Sequence, residues 1–208
     1  MKNKIQNIKG KKSKDKDRPT NILISGIGGQ GVLTLAVVMA EAAVSQGYDV
    51  TTAEVHGLAM RFGHLEVHLR LGKKINSPII PDGEADLVIG LEPLEALKAA
   101  RYIGKDTTVV FDTEKSIPNK MHIQKEQYPD TKKVVDMLKK ISKTVKTIPA
   151  SEIAKKITGS DRQSNIYLLG YLVKSKLINI TQQNIMKTLD LLPSPEINKQ
   201  MFKAGMKK

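Results

Sequence analysis

An open, mostly parallel α/β sheet with helices on both faces and a helical C-terminal third is the fold this sequence predicts, on three observations. Short apolar runs alternate with helix-length stretches from residue 21 to residue 148, the pattern of a sheet threaded by crossover helices. The first of those runs passes directly into a glycine-rich turn and then an alanine-rich helix. Beyond residue 151 only helical periodicity remains.

The elements follow in order. NILIS at 21–25 reads as a short buried strand leading into GIGGQG at 26–31. Residues 32–46, VLTLAVVMAEAAVSQ, are apolar on most faces and free of proline, so they predict a helix buried on more than one side and stopped at Gly47. Residues 49–54 form a second strand, and the strand–helix–strand unit so built is expected to be parallel with a right-handed crossover. HLEVHLRL at 64–71 alternates strictly, which predicts a half-exposed strand with His64, Glu66, His68 and Arg70 on its polar face. Two further apolar runs, 86–91 and 107–111, flank a helix over 92–103. Residues 131–143 read as a surface helix with Val134, Val135, Leu138 and Ile141 inward, and 144–148 as the last strand. The helices after Ser151 break near Gly159, Asn179 and Pro193, and no internal repeat is present.

Composition removes several function classes. The chain of 208 residues has no cysteine, hence no disulfide, redox thiol, thiolate zinc site or ligand for an iron–sulfur cluster. His56, His64, His68 and His122 are its only imidazoles, and His64 and His68 stand too far apart along one strand for a compact metal pair. No apolar run spans a bilayer and no secretory signal opens the sequence, so a cytoplasmic protein without membrane contact is expected. The net charge is +13. In residues 1–18, seven lysines and Arg18 against Asp15 and Asp17 give +6, leaving +7 for the other 190 residues. Such a segment has too little apolar surface to fold alone, so 1–18 are expected to be a disordered basic tail and 19–208 a single α/β domain. Aromatics at 4% offer few stacking platforms, which argues against nucleic acid as a partner.

Gly26, Gly28 and Gly31 satisfy G-x-G-x-x-G in the setting that motif demands, strand before and helix after, so the sheet is Rossmann-like. Together with Gly29 and Gln30 they form a candidate phosphate-binding loop, and Glu54, at the end of the second strand, is a candidate ribose contact. The same glycines are equally explained by tight packing of the first helix over the sheet. Val32 and Leu33 occupy the places of the Lys-Ser or Lys-Thr pair of a nucleotide-hydrolysing P-loop, which argues against that class. Glu92 and Glu95 open a helix and are assigned to its dipole rather than to acid–base work. No catalytic constellation and no metal site is assigned.

Quoted in full, GIGGQGV at 26–32 and EVHGLAMRFG at 54–63, followed by SPIIP at 77–81, Asp86, LEPLEAL at 91–97, Asn165 with Gly170, and Asn198, Phe202 and Gly205, resemble the gamma domain of 2-oxoacid:ferredoxin oxidoreductases over about residues 20–205. The EVHG and LEPLE segments are most similar to the indolepyruvate branch of that family. Two departures stand out: Met60-Arg61-Phe62-Gly63 replaces a glutamine–arginine–glycine–glycine run, and His64 stands where the family has a small residue. The resemblance implies an accessory subunit of an enzyme that oxidatively decarboxylates an arylpyruvate with coenzyme A, giving an aryl-acetyl-CoA and reduced ferredoxin. It further implies thiamine diphosphate and [4Fe-4S] clusters on a large alpha subunit, and a contact loop carrying His56, Arg61 and Phe62. The competing reading from the glycine loop is a self-sufficient NAD(P)- or flavin-binding oxidoreductase. A third, a basic scaffold or nucleic-acid-binding protein, rests on charge alone.

Overall fold

Runs of Ile, Leu and Val become strands covered on both faces, and the polar punctuation between them sets their ends. The computed structural model describes residues 18–57, 63–73, 75–116 and 128–207. In chain order these form β1 (Thr20–Ile27), α1 (Val32–Val44), β2 (Val50–His56), β3 (His64–Leu71), β4 (Ala85–Gly90) and α2 (Pro93–Lys98) with a 3₁₀ turn over Ala99–Tyr102. There follow β5 (Ile103–Asp112), α3 (Thr131–Leu138), β6 (Thr144–Ile148), α4 (Ala150–Thr158), α5 (Ser164–Lys174), α6 (Gln182–Leu189) and α7 (Pro195–Met206). One six-stranded sheet has the order β2-β3-β1-β4-β5-β6.

The expected mostly parallel sheet with helices on both faces is present. The pairs β1/β4, β4/β5 and β5/β6 are parallel. Alternation along β1 sends Ile22 and Ile24 into a core with Leu35 and Met39 of α1, Leu169 of α5 and Phe202 of α7. Leu23 joins the opposite core with Ala96 of α2, Phe111 of β5 and Val134 and Leu138 of α3.

Two expectations need correction. β1 and β2 run in the same sense, but they are not neighbours, because β3 lies between them and pairs antiparallel with both. Nor is β3 half-exposed: Leu65, Val67, Leu69 and Leu71 are buried, and so are Glu66 and His68 on its polar face. That face is covered because its side chains satisfy irregular backbone. His68 Nδ1 accepts from the Ile80 N–H at 3.1 Å, and Arg70 donates to the Ser77 carbonyl at 2.6 Å. The alternation thus marks one greasy face and one hydrogen-bonding face, both under cover. On α3, Val134 and Leu138 point inward as expected, whereas Ile141 follows the helix and is exposed.

Arg18, counted with the basic tail in the sequence reading, bonds to residues of the sheet. Arg18 is part of the domain: its guanidinium donates to both carboxylate oxygens of Asp86 at 2.8 Å, and to the Glu84 carbonyl at 3.0 Å. Residues 1–17 lie outside the described part. In the helical third, α5 and α7 touch backbone to backbone. A Cβ on Gly170 would stand 2.2 Å from the Phe202 carbonyl oxygen, and one on Gly205 2.1 Å from that of Tyr167, so only glycine admits this approach.

Candidate functional site

The glycine turn is closed by its own side chain. Gln30 Oε1 accepts from the Ile27 N–H at 2.8 Å while the Gln30 N–H donates to the Ile27 carbonyl at 3.0 Å. Gly29 and Gly31 have φ of +102° and +80°, the left-handed region that glycine enters without penalty. Gly26 is packed against Val32 and Leu91, and a Cβ there would meet Val32 at 2.6 Å. At Gly31 a Cβ would meet Asn165 Nδ2 at 2.3 Å. Asn165 needs that room because its side chain donates to the Gly31 carbonyl at 3.0 Å and accepts from the Ile166 N–H at 2.8 Å. It staples the start of α5 to the start of α1.

One loop amide is already engaged, since the Gly28 N–H donates to the Gly63 carbonyl at 2.9 Å. The N–H groups of Gly29 and Gly31 have no acceptor among the described residues. They border a cavity of ≈ 350 Å³ lined by Gly29, Gly31, Thr34, Arg162, Gln163, Asn165, Leu192, Pro193 and Asn198, among others. Three helices begin at its wall: α1 after Gly31, α5 after Gln163, and α7, whose first turn carries Asn198. At the start of α5 the Ser164 N–H donates to the Asp161 carbonyl and the Ile166 N–H to Asn165, so the amides without an acceptor at this wall are those of the glycine turn, and the exposed Arg162 lies beside them. Asn198 fixes the α7 end by donating to the Pro193 carbonyl at 2.9 Å.

Glu54 lies elsewhere. It sits on the edge strand β2, separated from the glycine turn by β3, and its carboxylate meets His56 Nε2 at 3.2 Å on the exposed surface. Arg61 and Phe62 lie outside the described residues. The ends of their loop are held: the Gly57 N–H donates to the His64 carbonyl at 2.8 Å, and Gly63 ties back to the glycine turn.

Next to that loop a charged cluster is sunk at the carboxyl edge of the sheet, a feature alternation and motif reading did not reveal. His64 Nδ1 bonds the Glu95 carboxylate, and His64 Nε2 bonds Glu66 at 3.1 Å. The hydrogen bonds to Glu66 and to Glu95 raise the imidazole pKa from its ordinary value to about 9. Lys98 reaches the other Glu95 oxygen at 2.5 Å. Glu92 caps α2, as its place at the helix start implied, accepting from the Glu95 N–H at 2.6 Å. It is also wholly buried, and burial pushes its carboxyl pKa up, while the Tyr128 hydroxyl donates to it. Among the described residues no group of His, Asp and Glu is arranged to hold a metal ion, and the chain has no thiol for a cluster. No helix of the described residues is long and apolar enough to cross a membrane.

The sequence reading selected Gly26, Gly28, Gly29, Gln30 and Gly31 as one loop, and the fold keeps them together. It gave no site role to Arg162, Asn165 or Asn198, which come from more than 130 residues away in the chain. Asn165 and Asn198 were quoted among the residues that carry the family resemblance, without a role in the site, and Arg162 had no signal in the sequence.

Comparison with known proteins places this geometry. Residues 21–208 match the family model described as pyruvate ferredoxin/flavodoxin oxidoreductase. The chain is 42% identical over 152 residues to the indolepyruvate oxidoreductase subunit IorB of Archaeoglobus fulgidus, covering 73% of this chain and 75% of that one. Its fold is similar to the gamma subunit of a keto/oxoacid ferredoxin oxidoreductase of Geobacter sulfurreducens, with a TM-score of 0.63 and 20% identity over 90% of this chain and 96% of the other. It also aligns with 2-oxoglutarate:ferredoxin oxidoreductase of Magnetococcus marinus, a structure containing 2-oxoglutarate, coenzyme A and succinyl-CoA, with a TM-score of 0.69 and 19% identity. There it covers 92% of this chain but 31% of the longer one. The chain belongs to the pyruvate ferredoxin/flavodoxin oxidoreductase family.

Proposed function

We propose that this chain is the small subunit of an indolepyruvate oxidoreductase, a partner to a larger subunit that carries thiamine diphosphate and iron–sulfur clusters. The observation that carries the reading is the 42% identity to a subunit of that name over most of both chains. The absence of cysteine supports the division of labour, because electrons leaving the substrate need metal that this chain cannot ligate. The reaction is the oxidative decarboxylation of an arylpyruvate with coenzyme A to an aryl-acetyl-CoA, with ferredoxin taking the electrons, in the cytoplasm.

Within that reading the glycine-loop cavity receives phosphate groups of coenzyme A. The free amides of Gly29 and Gly31 and the exposed Arg162 supply the positive field such groups need. The loop between His56 and Gly63, with Arg61 and Phe62, contacts the large subunit. Glu54 and His56 lie beside that loop at the outer edge of the sheet.

The test is a substrate series on the complex of this chain with its large companion subunit. Indolepyruvate and phenylpyruvate are expected to give kcat/KM values at least about tenfold above those of pyruvate and 2-oxoglutarate, a margin of roughly 1.4 kcal/mol. A preference for pyruvate would overturn the arylpyruvate assignment.

A further inference from the structure

Two histidines stand two pairs of residues apart on the polar face of β3, and their surroundings are opposite. His64 has a carboxylate on each ring nitrogen, Glu66 on Nε2 and Glu95 on Nδ1, and is held charged. His68 has neither. It is fully buried, its Nδ1 takes the Ile80 N–H at 3.1 Å, and its Nε2 meets no partner among the described residues. A ring nitrogen that accepts carries no proton, so this geometry selects the neutral tautomer with hydrogen on Nε2. Leu23 of β1 and Ala53 of β2 are its cross-strand neighbours, and the Tyr102 ring packs edge to face with it at 5.0 Å. Burial pushes the imidazole pKa below its ordinary value, with Glu66 opposing the shift and Arg70 adding to it, both from β3 itself. Tyr102 stays protonated, since burial raises its hydroxyl pKa. Asp82 and Arg101, the remaining charges on this side, pair with each other at 2.6 Å on the exposed surface.

The bond to Ile80 fastens a strap. Residues 76–82 are exposed except Ile80, whose side chain is wholly buried in one cluster with Leu23, Tyr102 and Ile103. Pro78 and Pro81 have no N–H to give. The ends of the strap are held by other means: Arg70 donates to the Ser77 and Ile79 carbonyls at 2.6 and 3.3 Å, and the Gly83 N–H donates to the Arg101 carbonyl at 3.0 Å. Arginine and backbone amides do not titrate near neutrality.

We propose that His68 is an acid-sensitive latch: a second proton on its ring turns Nδ1 from acceptor into donor against the Ile80 N–H, and the middle of the strap swings out while both ends stay tied. The charged ring left in place would hold two N–H groups in the core with no acceptor for either, so protonation and release go together. Closure needs the neutral ring, so it is fully stabilised above the open-state value of about 6.5 and is lost as pH falls below it. Release brings Ile80 out beside Ile79, itself 41% exposed, and uncovers Leu23 and Tyr102 beneath.

The test is hydrogen exchange at the Ile80 amide, resolved by NMR in the full chain and corrected for the intrinsic rate at each pH. Protonation of the ring in the open strap favours opening about tenfold more at about pH 5.5 than at about pH 7.5, so the Ile80 protection factor is expected to fall by that much. Val88, in the central strand β4, should keep its protection over the same range. In His68→Asn the side-chain oxygen can take the place of Nδ1 and gains no proton here, so Ile80 protection should change by less than about twofold. Level protection of Ile80 in the wild-type chain would overturn the proposal. An equal fall in His68→Asn would do the same, as would a parallel fall at Val88, which would mean that acid loosens the whole sheet. Should His68→Asn fail to fold, the wild-type comparison of Ile80 with Val88 decides by itself.

Discussion

A single histidine at the start of β3 shows how side-chain chemistry marks this chain. His64 stands between two buried carboxylates, Glu66 and Glu95, which hold its imidazole pKa near 9. A pKa raised above the unfolded value of about 6.5 means stabilisation that is complete below pH 6.5 and lost as pH rises through 9. His64→Gln is therefore expected to be less stable than wild type by on the order of 1–2 kcal/mol near pH 6, less than the full shift would give because part of the ring faces solvent. The gap should close by about pH 9.5. Urea titrations of both proteins at a series of pH values check this, and a constant gap would show that His64 acts through packing. Arg162 tests the other charged locus. In the assembled enzyme Arg162→Ala should raise the KM for coenzyme A about tenfold with kcat little changed, as loss of a charge-assisted contact made equally in ground and transition state would do.

Glycines do their work at the level of elements, and the work differs from site to site. Gly205→Ala drives a methyl group into the Tyr167 carbonyl between two helices, so a loss of roughly 2–3 kcal/mol is expected from urea unfolding. Gly47→Ala meets no neighbour within 4 Å but must keep φ near +86°, and should cost only about 1 kcal/mol. A Gly205→Ala loss no larger than that of Gly47→Ala would mean that α5 and α7 move apart to admit the methyl group. The α1 boundary, the glycine turn and the β6 span were legible in the sequence because each is set by local chemistry: periodicity, φ > 0 and chain breakers. The place of β3 was not. Which strand lies beside β1 depends on pairing between segments some 45 residues apart, and a strictly alternating strand looks the same whether its polar face meets water or the loop at Ser77 and Ile80. The cavity was half legible for the same reason: its glycine wall is one contiguous motif, while Arg162, Asn165 and Asn198 reach it only through the folding of the C-terminal helices.

The described residues form one α/β unit that Arg18 ties at its N-terminal end to Asp86. Removing residues 1–17 is expected to leave the urea midpoint unchanged, whereas Arg18→Ala should lower stability by about 1 kcal/mol through loss of the guanidinium hydrogen bonds to Asp86 and the Glu84 carbonyl. At this scale the central claim is a division of labour: this chain supplies shape and the glycine-loop cavity, and a larger companion supplies the redox centres. The most direct measurement is ferredoxin reduction with indolepyruvate and coenzyme A by the purified chain alone, by the large subunit alone and by the two together, with iron and thiamine diphosphate assayed in each. The account predicts turnover only in the mixture, and iron and thiamine diphosphate only where the large subunit is present. Turnover by this chain alone, or a nicotinamide or flavin bound tightly to it, would contradict it.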